Sequence, residues 1–289
     1  MITNWSTGRI SMASPNLAQI PSKGELGKTI RSCFIPRSKD YVIVGGDYSG
    51  MELRIIAEFS QDPLWIKTFQ EGGDLHSILC CETFGIELSK VKTPFYANPD
   101  ITYRDVQKTI DFGLAYGMSE FKLSSTIQVS VEEAKKIINK FFSKVPKVKQ
   151  FLDYLGHLTK TRGYIRTSAP YSRVRLFPKW NYLQNNFKSK NADKWYGEME
   201  RAGKNSPIQG TNGDIIKLAL INMQDVIEKE NWDVRILLSV YDEIQTETHR
   251  SIAEKWRIRQ SQIMIDAAKT IIKTIPVEVD CKISEYWQK

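Results

Sequence analysis

The stretch Tyr41-Val42-Ile43-Val44-Gly45-Gly46-Asp47-Tyr48-Ser49-Gly50-Met51-Glu52-Leu53-Arg54 decides how this chain is read. Its opening run is apolar, rich in β-branched residues and too short for a helix, which predicts a buried strand. The run ends at Gly45-Gly46-Asp47, so a carboxylate stands directly after the strand. From Met51 onward, Leu53, Ile56, Ala57 and Phe59 recur at helical spacing, and a helix is expected to leave the strand there.

A second strand signal lies far along the chain, over Arg235 to Thr248. Ile236, Leu238, Val240, Asp242 and Ile244 share one parity, with Arg235, Ser239, Glu243 and Gln245 on the other. This predicts a strand pair bending near Tyr241-Asp242-Glu243. A helix over Ile252 to Thr274 then leads to a closing strand, Val277-Glu278-Val279.

The middle reads as mostly helical. Val106, Ile110, Gly113, Leu114 and Gly117 form a stripe of helical period within Tyr103 to Leu123. Ser130 followed by Glu133 resembles a capping box opening a helix that runs towards Pro146. Phe151 to Thr161 is a further helix, and Gly163 to Phe177 is extended. Phe187 to Lys204 is a polar, basic loop and helix start, with Pro207 ahead of a long helix over Asp214 to Lys229. Strands flanking a helical middle give the class α+β, with an antiparallel sheet split around an insertion.

The 289 residues suggest roughly two domains and are enough for a sizeable core without disulfides. Lysine and arginine number 41 against 33 acidic residues, a formal charge of +8 that favours polyanionic partners without demanding them. No run approaches the ~20 apolar residues of a membrane span. Met1 to Thr7 carries neither the basic stretch nor the apolar run of a secretory signal. A cytoplasmic protein is expected, with no membrane partner. Cys33, Cys80, Cys81 and Cys281 form no CxxC pair and read as reduced thiols, and His76, His157 and His249 lack zinc-site spacing.

Asp47 after one strand and Asp242 at the bend between two others are carboxylates on rigid supports, as a hard cation such as Mg²⁺ requires. Taken singly, each is as well explained as a turn or cap residue. Arg104, Lys108 and Phe112 are spaced i, i+4, i+8 on one helical face, and Tyr116 follows on nearly the same line. Two cations and two aromatics on one face suit a ligand with a polyphosphate and a flat ring. A solvated helix face with its aromatics turned into the core is the alternative.

These stretches together resemble the family A DNA polymerases (the bacterial DNA polymerase I group). Asp47 to Arg54 is similar to the first catalytic motif, and Arg104 to Gly117, RDVQKTIDFGLAYG, to the nucleotide-binding fingers helix. Val240-Tyr241-Asp242-Glu243 resembles the second carboxylate motif. Thr7-Gly8-Arg9, Pro15-Asn16-Leu17 and Ile20-Pro21 resemble the segment opening the palm. Glu200-Arg201, Asn205 and Pro207-Ile208-Gln209-Gly210-Thr211 resemble the stretch before the long palm helix. Order and approximate spacing agree, and the resemblance covers nearly the whole chain.

The resemblance implies a palm over residues 1–58 and 201–289 with fingers inserted over 59–200. It implies that Asp47, Asp242 and the Tyr48 carbonyl ligate two Mg²⁺ ions, with Mn²⁺ as a substitute, and that Glu243 supports the catalytic site. One ion would activate the primer 3′-hydroxyl, and the other would hold the triphosphate and the leaving pyrophosphate. Arg104, Lys108 and His76 would grip the triphosphate, with Lys108 also offsetting charge during transfer. Phe112 would lie against the sugar and base and, lacking a phenol, discriminate against dideoxynucleotides. Tyr116 would stack at the template position or on the base of the new pair, and Glu52 would exclude a ribose 2′-hydroxyl. Arg9, Asn205 and Gln209 would read the minor groove near the primer terminus, with Arg201 and Tyr241 as further DNA contacts.

Three residues depart from the family pattern: Gly50 in place of Gln, Tyr241 in place of His and Asp111 in place of Asn. Family members also carry a thumb and a 3′–5′ exonuclease-type domain ahead of the palm. The expectation is a split or truncated polymerase, of the sort a bacteriophage replication module would use, with a separate chain supplying those parts. The expected partners are primer-template DNA and deoxynucleoside triphosphates. The alternative functions are a non-catalytic DNA-binding or assembly subunit derived from a polymerase, and a single-subunit RNA polymerase, which Glu52 disfavours.

Overall fold

A computed structural model describes residues 7–22, 24–185 and 191–288. The sequence expectations on residues 1–6 and 187–190 lie outside the described residues. Helix α1 (Gly24–Ser32) precedes strand β1 (Tyr41–Tyr48), and α2 (Met51–Ser60) leaves that strand through a corner at Ser49-Gly50. Gly50 takes φ 63 there, a left-handed backbone that glycine adopts at little steric cost. Helices α3 (Pro63–Gln70) and α4 (Leu75–Phe84) follow, then a small hairpin of β2 (Pro94–Phe95) and β3 (Asn98–Thr102). The middle continues as α5 (Tyr103–Ala115), α6 (Glu120–Ile127), α7 (Val131–Lys144) and α8 (Pro146–Arg162). A second hairpin, β4 (Tyr164–Arg166) and β5 (Val174–Leu176), leads to α9 (Lys179–Asn185) and the long α10 (Ala192–Lys229). The chain closes with β6 (Val234–Val240), β7 (Glu243–His249), α11 (Ala253–Lys269) and β8 (Val279–Ser284).

The main sheet has the order β6-β7-β1-β8 and is antiparallel throughout. Its one early strand therefore lies between two late ones, and the expected split α+β sheet is what forms. On one side Tyr41 faces His249 and Asp47 faces Glu243, while on the other side Asp47 faces Asp280.

Gly45-Gly46 does not end β1, contrary to the sequence expectation; the strand runs on to Tyr48. Successive residues point to opposite faces, and both faces are crowded at this pair. A Cβ on Gly46 would stand 2.7 Å from Met264 Sδ on α11, and one on Gly45 would stand 2.5 Å from Gln245 Nε2. The glycines are needed for close packing rather than for a turn. Tyr48 shares the Gly46 face: its buried hydroxyl donates to the Met264 carbonyl at 2.5 Å, and burial pushes its pKa up.

Helix α11 is tied to the back of the sheet by a buried polar network. Thr246 Oγ1 donates to Gln260 Oε1 at 2.7 Å, Gln260 Nε2 donates to the Ile244 carbonyl at 3.0 Å, and Trp256 Nε1 donates to Thr246 Oγ1 at 2.9 Å. Strand β7 is buried from Glu243 to Thr248, so its polar parity does not mark an exposed face. A register shift between Ile236 and Leu238 also breaks the simple alternation expected of β6.

The helical boundaries differ from expectation in four places. Pro207 lies inside α10, which begins at Ala192 rather than near Asp214. A proline costs about 3 kcal/mol in a helix interior. This segment is nonetheless buried almost all round, from Ser206 to Ile216, and it packs so closely on α8 that a Cβ on Gly203 would meet Thr159 Oγ1 at 2.0 Å. Burial on every side also removes the amphipathic period that sequence reading relies on. The Tyr103–Leu123 stripe is two helices, broken where Gly117 takes φ 76 and Ser119 caps α6. The last helix ends at Lys269, and the closing strand starts at Val279 instead of Val277. Phe151–Thr161 is the interior of α8, which opens on Pro146 in its first turn. Ser130 does cap α7, its Oγ accepting the Glu133 N–H at 3.1 Å.

Replacing Gln260 by Leu strips the Thr246 hydroxyl and the Ile244 carbonyl of a buried partner. A cost of about 1–3 kcal/mol is expected, read as a lower urea midpoint followed by tryptophan fluorescence.

Candidate active site

Residues Tyr241 and Asp242 form the two-residue loop between β6 and β7. Tyr241 takes φ 55, an uncommon left-handed conformation for a bulky side chain, and its ring is exposed. The Tyr48 N–H donates to the Asp242 carbonyl at 3.2 Å. That bond stitches the end of β1 to the loop, so the backbones of Asp47 and Asp242 are neighbours at one end of the sheet. Asp47 is on the face opposite α11, lining a narrow cleft with Gly45, Glu243, Gln245, Asp280 and Lys282. Asp280 was outside the closing strand as the sequence was read; its register opposite Asp47 exists only once β8 pairs with β1.

Glu243 is almost completely buried and firmly held. Its Oε1 accepts from Trp287 Nε1 at 2.6 Å and Gln245 Nε2 at 2.5 Å, with Arg31 Nη1 at 3.9 Å. The Arg31 guanidinium in turn lies 4.0 Å from the Trp287 ring centroid. Neither Arg31 nor Trp287 carries a signal in sequence, since each is separated from Glu243 by a long stretch of chain.

Arg9 Nη2 donates to Glu52 Oε1 in a partly buried contact. Burial, and then the charge of nearby Asp242, push the Glu52 carboxyl up to about 8, while burial lowers Arg9. The Arg9 guanidinium also sits 5.6 Å from the Tyr241 ring centroid. Arg9, Asn205, Gln209 and Tyr241 line one cavity of about 370 Å³. Arg9 Nε and Asn205 Oδ1 are buried without a hydrogen-bond partner. Arg201 stands one turn before Asn205 on α10, but outside that cavity. It is exposed, with its stem packed against Gly117, where a Cβ would meet its Cγ at 2.7 Å.

The second cluster is built on α4 and α5. Thr102 and Asp105 form a reciprocal capping box that fixes the start of α5. Arg104 forms a two-point ion pair with Asp74, Nε to Oδ2 at 2.6 Å and Nη2 to Oδ1 at 2.9 Å. Burial works against the ionised Asp74, but bonds from Arg104 and Ser77 outweigh it and hold the carboxyl at about 2. His76 Nδ1 lies 2.6 Å from Asp111 Oδ2, and its ring is tilted against Phe112 with centroids 5.7 Å apart. The structure thus brings His76, Arg104 and Phe112 together. Lys108 is exposed one turn along from Arg104, and Tyr116 caps the end of α5 with its hydroxyl buried and without a hydrogen-bond partner. Asp74 and Asp111, which orient Arg104 and His76, were not foreseen in those roles.

Asp47 and Asp242 offer carboxylate oxygens and Tyr48 a main-chain carbonyl. Hard oxygen donors of this kind fit Mg²⁺, which commonly takes one or two carboxylates and completes its shell with phosphate and water. Among the described residues no cluster of three or more His, Cys, Asp and Glu side chains could hold a metal ion alone. The donor set therefore suits an ion shared with a phosphate ligand.

The depressed Asp74 carboxyl makes a pH prediction. From its ordinary value of 3.8 down to about 2, the unfolded chain binds the proton first, so the pair stabilises fully above about pH 4 and fades as pH falls through 2. Asp74→Asn is expected to show a shallower fall in urea midpoint between about pH 5 and pH 3 than the parent.

A sequence profile described as DNA polymerase family A matches residues 1–289. The DNA polymerase I of Streptococcus pneumoniae serotype 4 is 35% identical over 274 residues, covering 94% of this chain and 29% of that protein. That of Caldicellulosiruptor bescii is 33% identical over 285 residues, covering 99% and 31%. Among solved structures, the POL domain of Pol1 from M. smegmatis, in complex with DNA primer-template and dNTP, superposes with a TM-score of 0.83 at 31% identity. That match covers 98% of this chain and 46% of the other. The chain spans less than a third of the length of these two curated relatives, and no described helix is long and apolar enough to cross a membrane. With its profile matched from end to end and relatives at 33–35% identity covering nearly all of it, the chain belongs to DNA polymerase family A.

Proposed function

We propose that this chain is the catalytic palm-and-fingers portion of a template-directed DNA polymerase, with palm over 1–58 and 201–289 and fingers over 59–200. The observation that carries the reading is the stitching of Asp47 to the Asp242 loop by the Tyr48–Asp242 backbone bond. Asp47, Asp242 and the Tyr48 carbonyl would hold two Mg²⁺ ions, whose chemistry is to activate the primer hydroxyl and neutralise the departing pyrophosphate. The M. smegmatis relative binds primer-template and dNTP, and the same ligands are proposed here.

The chain's own residues bind and orient. Arg104, Lys108 and His76 hold the triphosphate; Arg104 exchanges its Asp74 partner for phosphate oxygens, which suit its planar fork equally well. Phe112 lies against the sugar and base, and Tyr116 at the template side. Glu52, fixed by Arg9, fills the space a 2′-hydroxyl would need. Arg9, Asn205 and Gln209 present donors and acceptors to the minor-groove edge of the primer-terminal pair, whose acceptors are nearly alike for every correct pair. Arg201 and Tyr241 add contacts along the DNA. Glu243, held by Trp287 and Gln245, supports the loop that carries Asp242.

In a primer-extension assay on a primed template, Asp47→Asn and Asp242→Asn are each expected to lower the incorporation rate by roughly 10²–10³ or more, several kcal/mol of transition-state stabilisation. Primer-template affinity, measured by fluorescence anisotropy, should survive in both. Unchanged incorporation would leave a DNA-binding subunit as the better reading. Phe112→Tyr is expected to raise dideoxynucleotide incorporation relative to deoxynucleotide in the same assay.

A further inference from the structure

We propose that Asp111 is a positioning residue for the incoming triphosphate, acting through His76: it holds the imidazole by Nδ1 so that Nε2 meets the phosphate as the donor of a cationic ring. This rests on the polymerase reading and adds to it a residue in which the chain departs from its family.

Asp111 is 1% exposed, and both of its oxygens are engaged. Oδ2 lies 2.6 Å from His76 Nδ1, and Oδ1 accepts from Gln107 Nε2 at 2.6 Å. Burying a carboxylate is costly unless charge and hydrogen bonds compensate it, and an uncharged amide would occupy nearly the same space. The charge is therefore informative. An ionised carboxylate only accepts, so the proton between the two groups sits on Nδ1. With Nδ1 protonated, a neutral ring has Nε2 as an acceptor, which cannot bond a phosphate oxygen. Nε2 donates only when the ring carries its second proton, with the buried Asp111 carboxylate as its counter-charge. Burial pushes the Asp111 carboxyl up to about 6, which leaves it ionised at neutral pH.

The pair is placed where this matters. The His76 ring rests on Phe112, and Arg104 begins the same helix face. The other titratable groups coupled to Asp111 are Asp74 and Cys80 from the α4 side and Arg104 on its own helix. Of these, Arg104 stays charged at every working pH and Asp74 is already paired with it.

The test is a double-mutant cycle on equilibrium dNTP binding to the protein with primer-template, using a dideoxy-terminated primer so that no chemistry follows. Asp111→Asn is expected to weaken dNTP binding about 5- to 20-fold, with primer-template affinity unchanged. In a His76→Ala background the same substitution should have no further effect. Long-range ¹H–¹⁵N spectra should show Nδ1 of His76 protonated in the parent. A deficit of the same size without His76, or spectra showing Nδ1 of His76 unprotonated in the parent, overturns the inference and leaves Asp111 as a packing residue. A parent complex that binds no dNTP overturns the polymerase reading, and this inference with it.

Discussion

The antiparallel ladder between β1 and β7 is the constraint on which the rest of this protein depends. It pairs the end of the chain's first long strand with the start of a hairpin that is made almost two hundred residues later. Because the register is pinned from Tyr41–His249 to Asp47–Glu243, a slip of one residue would turn Asp47 into α11 and bring Tyr48 to the open face. The crowding around Gly45 and Gly46 forbids that slip from both sides. Position of the carboxylates is therefore a property of the sheet rather than of any loop.

That arrangement gathers negative charge, and several buried or partly buried carboxylates have specific partners. Glu52 is paired with Arg9, Glu243 with Trp287 and Gln245, and Asp111 with His76 and Gln107. At the far end of the sheet Glu247 accepts from the Arg37 backbone N–H at 2.6 Å. Such pairs offset desolvation more than they add stability. Their consequence is orientation: the pairs at Glu52, Glu243 and Asp111 fix side chains next to residues proposed to contact nucleotide or DNA. Arg9 illustrates this, since one guanidinium touches Glu52, approaches Tyr241 and lines the cavity shared with Asn205 and Gln209.

Helix α10 joins the two clusters. Arg201, Asn205 and Gln209 follow at four-residue intervals along it, running from Gly117 at the end of α5 to the cavity beside Tyr241. Its tight seating on α8, where Gly203 leaves room for Thr159, makes it a rigid spacer despite Pro207. The contact at Gly117 and the cavity beside Tyr241 are thereby bridged by a single element.

Much of this was legible in the chain itself. Strand β1, the corner to α2, the β6–β7 hairpin and the helical character of the middle follow from short-range pattern: β-branched runs, periodicity and capping residues act within a few positions. The residue types at 47, 104, 108, 112 and 242 likewise carry the expectation of phosphate and metal chemistry. What only tertiary structure decided is which distant groups meet. Asp280 beside Asp47, Arg31 and Trp287 around Glu243, Asp74 on Arg104 and Asp111 on His76 are separated in sequence by distances over which local pattern says nothing. The glycines of β1 and the proline of α10 mislead for the same reason: their intrinsic preferences amount to a few kcal/mol at most, and long-range packing outweighs them.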